Sequence, residues 1–168
     1  NHFGYPGMVK RFVAAHFGLN HEVMRMIAQE EVEAFNLPQG TLCQLYREIA
    51  AGRPGVITRV GLGTFVDPRV EGGKLNQRTQ SCEDLVEVVQ VDGQEMLRYK
   101  PFRPQVGLIR GTTADPEGNI TIEDEALCME NLEAAMAVAN TGGFVIAQVE
   151  RVSDQPAQPH AVRIPGIF

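Results

Sequence analysis

The stretch VGLIRGTTADPEGNITIEDEALCMENLEAAMAVANTGGFVIAQV, residues 106–149, decides the fold class of this chain. It starts and ends with short apolar runs, VGLI at 106–109 and FVIAQV at 144–149, which are typical of buried strands. Between them Thr121 and Asp124 form a capping box, which predicts a helix with one apolar stripe: Ala126, Met129, Leu132 and Met136. This order of elements predicts a right-handed βαβ unit. We therefore predict an α/β fold, a mostly parallel sheet with helices on both faces.

A ligand site is expected at one edge of that sheet. Ligands of parallel α/β sheets bind beyond the carboxyl ends of the strands. Residues 110–115 (RGTTAD) follow the first apolar run directly. We therefore expect this segment to form one wall of a site.

Further strands and helices are predicted on the N-terminal side of this unit. Thr41 and Gln44 form another capping box, whose helix ends at Gly52. The clearest hairpin signal is Asp92–Gly93, because these residue types adopt the positive φ angles of a tight turn. Periodicity and turn residues predict the remaining elements: a strand or short helix at 9–15, a helix after Asn20, and strands at 33–37, 56–60, 84–91 and 95–99.

Length and composition fit one globular domain and exclude several classes of protein. The chain has 168 residues, 43% of them hydrophobic, but no apolar run that could span a membrane. No basic cluster exceeds Lys10–Arg11, so we expect no nucleic-acid partner. Three cysteines without metal-binding spacing predict a reducing compartment, the cytoplasm, and no zinc site. We expect a single domain over 1–168, with 152–168 as a linker and the start of a further strand.

Most residues that could carry chemistry have a simpler structural interpretation. The sequence contains no nucleophile elbow, zincin motif or P-loop, and Gly61-Leu62-Gly63 lacks the third glycine of a dinucleotide fingerprint. Glu71 and Glu117 precede glycines and are interpreted as solvated turns. His16 is interpreted as a turn histidine and Cys43 as unreactive, because neither has a catalytic partner nearby in sequence.

Gln39, in the segment Pro38-Gln39-Gly40-Thr41, is the more informative polar residue. It lies between a predicted strand and the start of a predicted helix. A helix N-terminus favours anions and polarised carbonyl groups, and the glutamine amide adds a hydrogen-bond donor. A surface glutamine in a structural turn is the alternative interpretation.

Four segments together closely resemble the family I coenzyme A transferases, of the propionate/acetate type, in which two similar halves are fused. The resemblance covers nearly the whole chain, and the segments occur in the order expected for the family. They are NLPQGT (36–41), GRPGVITRVGLGTFVD (52–67), GGKLN (72–76) and RGTTAD (110–115) together with Gly118-Asn119. The resemblance implies an α/β domain like those of NagB and RpiA.

The resemblance also implies a covalent mechanism. These enzymes move coenzyme A from a short-chain acyl-CoA to a free carboxylate through a glutamyl-CoA thioester. Their nucleophilic glutamate lies in the second half, beyond the counterpart of Phe168, and a glycine-rich loop lies before the counterpart of Asn1. We therefore expect an incomplete first half that is inactive alone, and assign the nucleophile neither to Glu71 nor to Glu117.

The matching positions imply roles for several residues of this chain. Gln39 would hydrogen-bond the thioester or carboxylate at the reacting centre. Gly61, Gly63, Thr64 and Phe65 would line the acyl pocket. Coenzyme A would be a cosubstrate, with no metal and no other cofactor.

The resemblance further implies the partners of the chain. They would be acyl-CoA, small carboxylates and the second half of the enzyme, and the complete enzyme would form a homo-oligomer. The apolar surface left without the second half would promote self-association. One alternative is a catalytically silent binding or assembly domain of the same fold. A sugar-phosphate isomerase is another, but the scattered Lys and Arg residues provide no phosphate cluster.

Overall fold

The computed structural model describes residues 2–168, which form two compact units. The first unit comprises the chain up to Leu45 together with Gly55–Lys100. The second comprises Tyr46–Pro54 and Pro101–Phe168. Each unit contains its own hydrophobic cluster. The single domain expected over residues 1–168 stays a prediction.

The first unit begins with two parallel strands joined by a helix. β1 (Arg11–Ala14) pairs in parallel with β2 (Glu33–Asn36), and α1 (His21–Ala28) connects them. The helix predicted after Asn20 is confirmed as α1, and Asn20 caps it: its side chain accepts a hydrogen bond from the Val23 amide at 3.1 Å. Apolar side chains of α1 and its flanking segments form the core here: Phe17, Val23, Met26, Ile27, Val32 and Ala34.

The same unit contains a three-stranded antiparallel sheet. Its strands are β3 (Val56–Thr58), β4 (Val86–Val91) and β5 (Gln94–Tyr99), in the order β3-β5-β4. The short helix α3 (Gln77–Gln80) lies between β3 and β4 in sequence. The predicted hairpin is confirmed, since Asp92–Gly93 joins β4 to β5 with φ angles of +48° and +77°.

Helix α2 (Gln39–Ala50) begins two residues before the predicted cap, Thr41. The Pro38 carbonyl accepts hydrogen bonds from the amides of Thr41 at 3.1 Å and Leu42 at 3.0 Å. The helix therefore starts directly after the proline, whose fixed φ suits a first turn, rather than at a side-chain cap. Gly52, at φ +66°, follows its end as predicted.

The second unit contains the predicted βαβ unit. β6 (Val106–Ala114) and β8 (Phe144–Val152) are parallel, and α4 (Asn131–Asn140) lies between them in sequence. β7 (Ile120–Thr121) and β9 (Val162–Ile164) complete a sheet in the order β8-β6-β7-β9. Its buried cluster contains one residue from each of four elements: Ile109, Ile120, Ala135 and Ile164.

A helix does lie between β6 and β8, but the prediction that it begins at Thr121 is wrong. Thr121 belongs to β7 and pairs with Thr113 of β6, and the first residue of α4 is Asn131. The amide of Asp124 donates to the Thr112 hydroxyl at 3.0 Å instead of entering a helix. Met129, two residues before the start of α4, has a φ of +50°. A helix that began at Thr121 could not continue through this left-handed conformation into α4.

The segment 110–115 was expected to follow a strand that ends at Ile109, but most of it belongs to the strand itself. β6 continues to Ala114, and its register with β8 extends to the pair Ala114–Val152. Thr112 and Thr113 are β-branched, which favours this longer strand. Only Asp115 lies beyond the end of β6.

The α/β class is confirmed, but the sheets are mixed rather than mostly parallel. Parallel pairing occurs between β1 and β2 and between β6 and β8. The other named strand pairs are antiparallel. For β4 and β5 the physical reason is the short connection, because a two-residue turn such as Asp92–Gly93 can join only antiparallel strands.

One face of the β6–β8 pair is packed and the other is exposed. On the packed face Gly107 lies against Val138 of α4. The exposed face carries four apolar side chains with 46–64% of their surface accessible: Val106, Leu108, Phe144 and Ile146. Helices on both faces were expected, so this uncovered face is a departure from the predicted architecture.

Candidate active site

Gln39 is the first residue of α2, directly after the turn that leaves β2. Its side chain is exposed. The first turn of α2 contains no acidic residue that would neutralise the positive end of the helix dipole. This position can therefore attract a carboxylate or a polarised carbonyl group, and the glutamine amide can donate to it.

The segment from Gly61 to Asp67 folds into a compact loop. The Gly61 carbonyl accepts hydrogen bonds from the Thr64 amide at 3.0 Å and the Thr64 hydroxyl at 2.7 Å. The Asp67 amide then donates to the Thr64 carbonyl at 3.0 Å. Gly61 and Gly63 have φ angles of +92° and +73°, so the loop requires glycine at both positions.

A buried carboxylate holds this loop from inside. Asp67 is 1% exposed and accepts hydrogen bonds from the Gly63 amide at 2.9 Å and the Arg69 amide at 3.0 Å. The Arg69 guanidinium donates to both carboxylate oxygens, at 2.8 and 3.0 Å. These contacts, Arg69 above all, hold the pKa of Asp67 well below its ordinary range. Asp67 is therefore a structural carboxylate of the loop.

The four predicted pocket residues differ in what surrounds them. Gly63, Thr64 and Phe65 are exposed, and a side chain built on Gly63 would enter open space. Gly61 is half-buried, and a Cβ there would lie 2.6 Å from the Tyr99 hydroxyl oxygen. Three of the four can therefore contact a ligand, whereas Gly61 is required by close packing. Their assignment to an acyl pocket stays a prediction.

Hydrogen bonds bring three of the four family-like segments together in the first unit. The Gly73 amide donates to the Phe65 carbonyl at 2.9 Å, and the Gly73 carbonyl accepts from the Asn36 amide at 2.8 Å. Phe35 and Lys74 form an isolated antiparallel bridge. Gly73 thus connects the loop to Asn36, the last residue of β2, which lies three residues before Gln39. A Cβ on Gly73 would lie 2.8 Å from the Asn36 carbonyl oxygen, so the contact requires glycine.

Tyr99 is a component of this region that sequence reasoning missed. It is fully buried, and its hydroxyl donates to the Val60 carbonyl at 2.8 Å. Burial raises the pKa of Tyr99 to about 12, although the nearby Thr41 side chain opposes this. The sequence did offer one signal, a tyrosine at an inward-facing position of a predicted strand. The hydroxyl of a buried tyrosine needs a hydrogen-bond partner, so such a position indicates a polar contact inside the protein.

The fourth family-like segment lies in the second unit and has a structural role there. The Asp115 carboxylate accepts hydrogen bonds from the amides of Glu117, Asn119 and Ala157, each at 2.9 Å. The Asn119 side chain donates to it at 3.0 Å. These contacts, the Ala157 amide above all, lower the pKa of Asp115. Asp115 therefore joins two loops of this unit and has little hydrogen-bonding capacity left for a ligand.

The remaining chemically suggestive side chains form no catalytic cluster in the part of the chain that the structure describes. Glu71, Glu117 and His16 are exposed, and Cys43 is half-buried. No group of three His, Cys, Asp or Glu residues within 2–168 could hold a metal ion. The expected absence of a metal stays a prediction. No helix within the same range is long and apolar enough to cross a membrane.

Comparison with known proteins identifies the family. A family model described as coenzyme A transferase matches residues 5–168. The chain belongs to the coenzyme A transferase family. Over 164 residues it is 49% identical to a caffeate CoA-transferase of Acetobacterium woodii, a match that covers 97% of this chain and 31% of that protein.

Two further relatives extend this finding. The solved structure of an acyl-CoA transferase of Escherichia coli O157:H7 (YdiF), described as a thioester complex with CoA, superposes with a TM-score of 0.92. The two sequences are 42% identical, and the match covers 98% of this chain and 32% of that protein. An acetate CoA-transferase subunit alpha of Escherichia coli K12 is 30% identical, and the match covers 95% of this chain and 64% of that subunit. The chain thus spans about a third of the first relatives it matches.

Proposed function

We propose that this chain forms the first-half part of an enzyme that moves coenzyme A from a short-chain acyl-CoA to a free carboxylate. The observation that carries the proposal is the family match over residues 5–168, together with the convergence of three family-like segments next to Gln39. The names of the relatives, acetate and caffeate CoA-transferases, support a carboxylate as acceptor.

The proposed reaction is a double displacement on a glutamate supplied from outside residues 1–168. The glutamate carboxylate attacks the thioester carbonyl, which forms an acyl-glutamyl anhydride and releases the CoA thiolate. The thiolate then attacks the glutamyl carbonyl, which gives a glutamyl-CoA thioester and the first carboxylate product. The acceptor carboxylate then attacks the glutamyl-CoA thioester, and the same steps in reverse give the new acyl-CoA and release the glutamate. Anhydride and thioester both keep the carbonyl activated, so a weak nucleophile suffices. The relative described as a thioester complex with CoA supports this route.

Gln39 would act as a hydrogen-bond donor in this reaction. Negative charge develops on the carbonyl oxygen when the carboxylate attacks the thioester, and a fixed donor stabilises that charge. The exposed amide of Gln39, at a helix end without acidic residues, is suited to this role. Gly63, Thr64 and Phe65 would line the acyl pocket beside it, with Gly61 supporting them.

The second half of the enzyme is the proposed protein partner. An exposed apolar face on β6 and β8, comprising Val106, Leu108, Phe144 and Ile146, supports the need for further protein around this chain. The complete enzyme would be a cytoplasmic homo-oligomer of the propionate/acetate type, with coenzyme A as cosubstrate and without a metal or redox cofactor.

The test is isotope exchange in the complete enzyme, this chain with its second half. The enzyme is incubated with acetyl-CoA and labelled acetate, with no other acceptor. A double displacement moves label into acetyl-CoA, and initial rates with a second carboxylate give parallel double-reciprocal lines. The second half alone serves as the control. Absence of exchange with acetyl-, propionyl- and butyryl-CoA would instead support a catalytically silent domain of the same fold.

A further inference from the structure

The phenol oxygen of Tyr99 is the meeting point of two parts of the candidate site. Its hydroxyl donates to the Val60 carbonyl at 2.8 Å, and the Thr41 side chain lies close to it. The same oxygen lies so close to Gly61 that a Cβ there would be 2.6 Å away. Tyr99 therefore holds the start of the Gly61–Asp67 loop next to the first turn of α2.

These contacts are shielded from water. Tyr99 is fully buried and Thr41 is only 3% exposed. Water cannot readily replace a hydrogen bond lost at such a buried side chain, so the Tyr99 hydroxyl depends on the Val60 carbonyl. Thr41 lies two residues after Gln39 in the same helix. The Tyr99 hydroxyl thus lies close to both the loop and that helix start.

We propose that Tyr99 is a positioning residue of the transferase reaction, whose hydroxyl fixes the Gly61–Phe65 loop relative to Gln39. The inference rests on the proposed function, because Gln39 and the loop take their roles from it. Tyr99 itself is buried beneath the loop and touches no substrate. Its effect reaches the reaction through the carbonyl of Val60 and the backbone of Gly61.

Removal of the hydroxyl should loosen one end of the loop without unfolding it. The Gly63–Asp67 and Phe65–Gly73 hydrogen bonds hold the other end and do not involve Tyr99. A small misplacement of groups around a reacting centre lowers turnover by up to about 100-fold. Tyr99→Phe should therefore lower kcat about tenfold or more, while KM for acyl-CoA changes less than about threefold.

The kinetic test uses the complete enzyme and one further variant. Val86→Ala is the matched control, since Val86 is fully buried opposite Tyr99 in the β4–β5 register but has no hydroxyl to lose. It should lower thermal stability and leave kcat at the wild-type value. Wild-type kcat in Tyr99→Phe, or an equal loss in Val86→Ala, overturns the inference.

Hydrogen exchange measured by mass spectrometry separates this inference from the proposed function, because it needs no activity. In Tyr99→Phe the amides of residues 61–65 should exchange faster than in the wild type, whereas those of β4 should not. If the wild-type enzyme transfers no CoA, the proposed function fails and the exchange data alone decide whether Tyr99 holds the loop. Unchanged exchange at residues 61–65 overturns that positioning role.

Discussion

The Gly63 amide donates a hydrogen bond to the buried carboxylate of Asp67 at 2.9 Å. This bond closes the loop that presents Thr64 and Phe65 to solvent. Arg69 pairs with the same carboxylate and is itself half-exposed, so the network reaches from the loop interior to the surface. Rigid presentation of exposed side chains by a buried charged group is what a substrate-contacting loop requires.

Asp67→Asn should destabilise the first unit, with an effect that depends on pH. We expect the free energy of unfolding to fall by about 1–3 kcal/mol near neutral pH, because charge-assisted bonds to Gly63 and Arg69 are lost. The folded-state pKa of Asp67 is lower than its unfolded value near 3.8, so this stabilisation exists above about pH 4 and is lost as pH falls further. Urea unfolding at several pH values measures it. The difference between wild type and variant should shrink in acid, and a constant difference would contradict the assignment. Asp154→Asn, at an exposed site, is the control.

Gln39→Ala in the complete enzyme should lower kcat about 100-fold, because a hydrogen-bond donor to the developing oxyanion is lost. KM for acyl-CoA should change much less, since the bond strengthens mainly in the transition state. Gln44→Ala is the matched control, because Gln44 is an exposed glutamine of the same helix. Equal steady-state kinetics for the two variants would mean that Gln39 is a surface residue of a structural turn.

Phe65→Ala should change acyl-chain preference. Phe65 is 42% exposed, and its removal enlarges the proposed pocket. The ratio of kcat/KM for butyryl-CoA over acetyl-CoA should rise about tenfold, the usual worth of one or two methylenes. Val70→Ala, at an exposed apolar residue nearby in sequence, is the control. An unchanged ratio in a stable variant removes Phe65 from the pocket. Gly63→Val is a poorer probe, because φ +73° strains any β-branched residue.

The exposed face of the β6–β8 pair should make the isolated chain self-associate. Leu108 and Ile146 are adjacent in the parallel register and are 64% and 49% exposed. Sedimentation velocity should show oligomers of the 168-residue chain and a monomer for the double variant Leu108→Ser/Ile146→Ser. Leu19→Ser, at a residue 93% exposed, is the control and should sediment like the wild type. A monomeric wild type would contradict the expectation.

Local sequence patterns predicted several elements correctly because their signals are local. The Asp92–Gly93 hairpin and the Asn20 cap depend on residues within a few positions of each other. The start of α4 could not be predicted in this way. Thr121 has the residue pattern of a cap but is held in a strand by pairing with Thr113, a tertiary contact that outweighs the local preference.

The candidate site was predictable only in part. Gln39 at a strand-to-helix turn followed from turn chemistry, and the loop glycines followed from the family resemblance. Asp67 and Gly73 lie in the family-like segments, but their structural roles were missed, as was Tyr99. The roles of Tyr99 and Gly73 arise from contacts between distant segments. Gly73, for example, joins Phe65 to Asn36, which lies 37 positions earlier in the chain. Such contacts leave no spacing pattern in one sequence.

The most direct test of the central proposal is to trap the covalent intermediate. The complete enzyme is incubated with acetyl-CoA, treated with borohydride, and mapped by peptide mass spectrometry. Borohydride reduces a glutamyl thioester to the alcohol and releases coenzyme A. We predict one reduced glutamate, dependent on acetyl-CoA and outside residues 1–168. An enzyme that turns over without any reduced glutamate, or with the reduced residue at Glu71 or Glu117, would contradict the proposed mechanism.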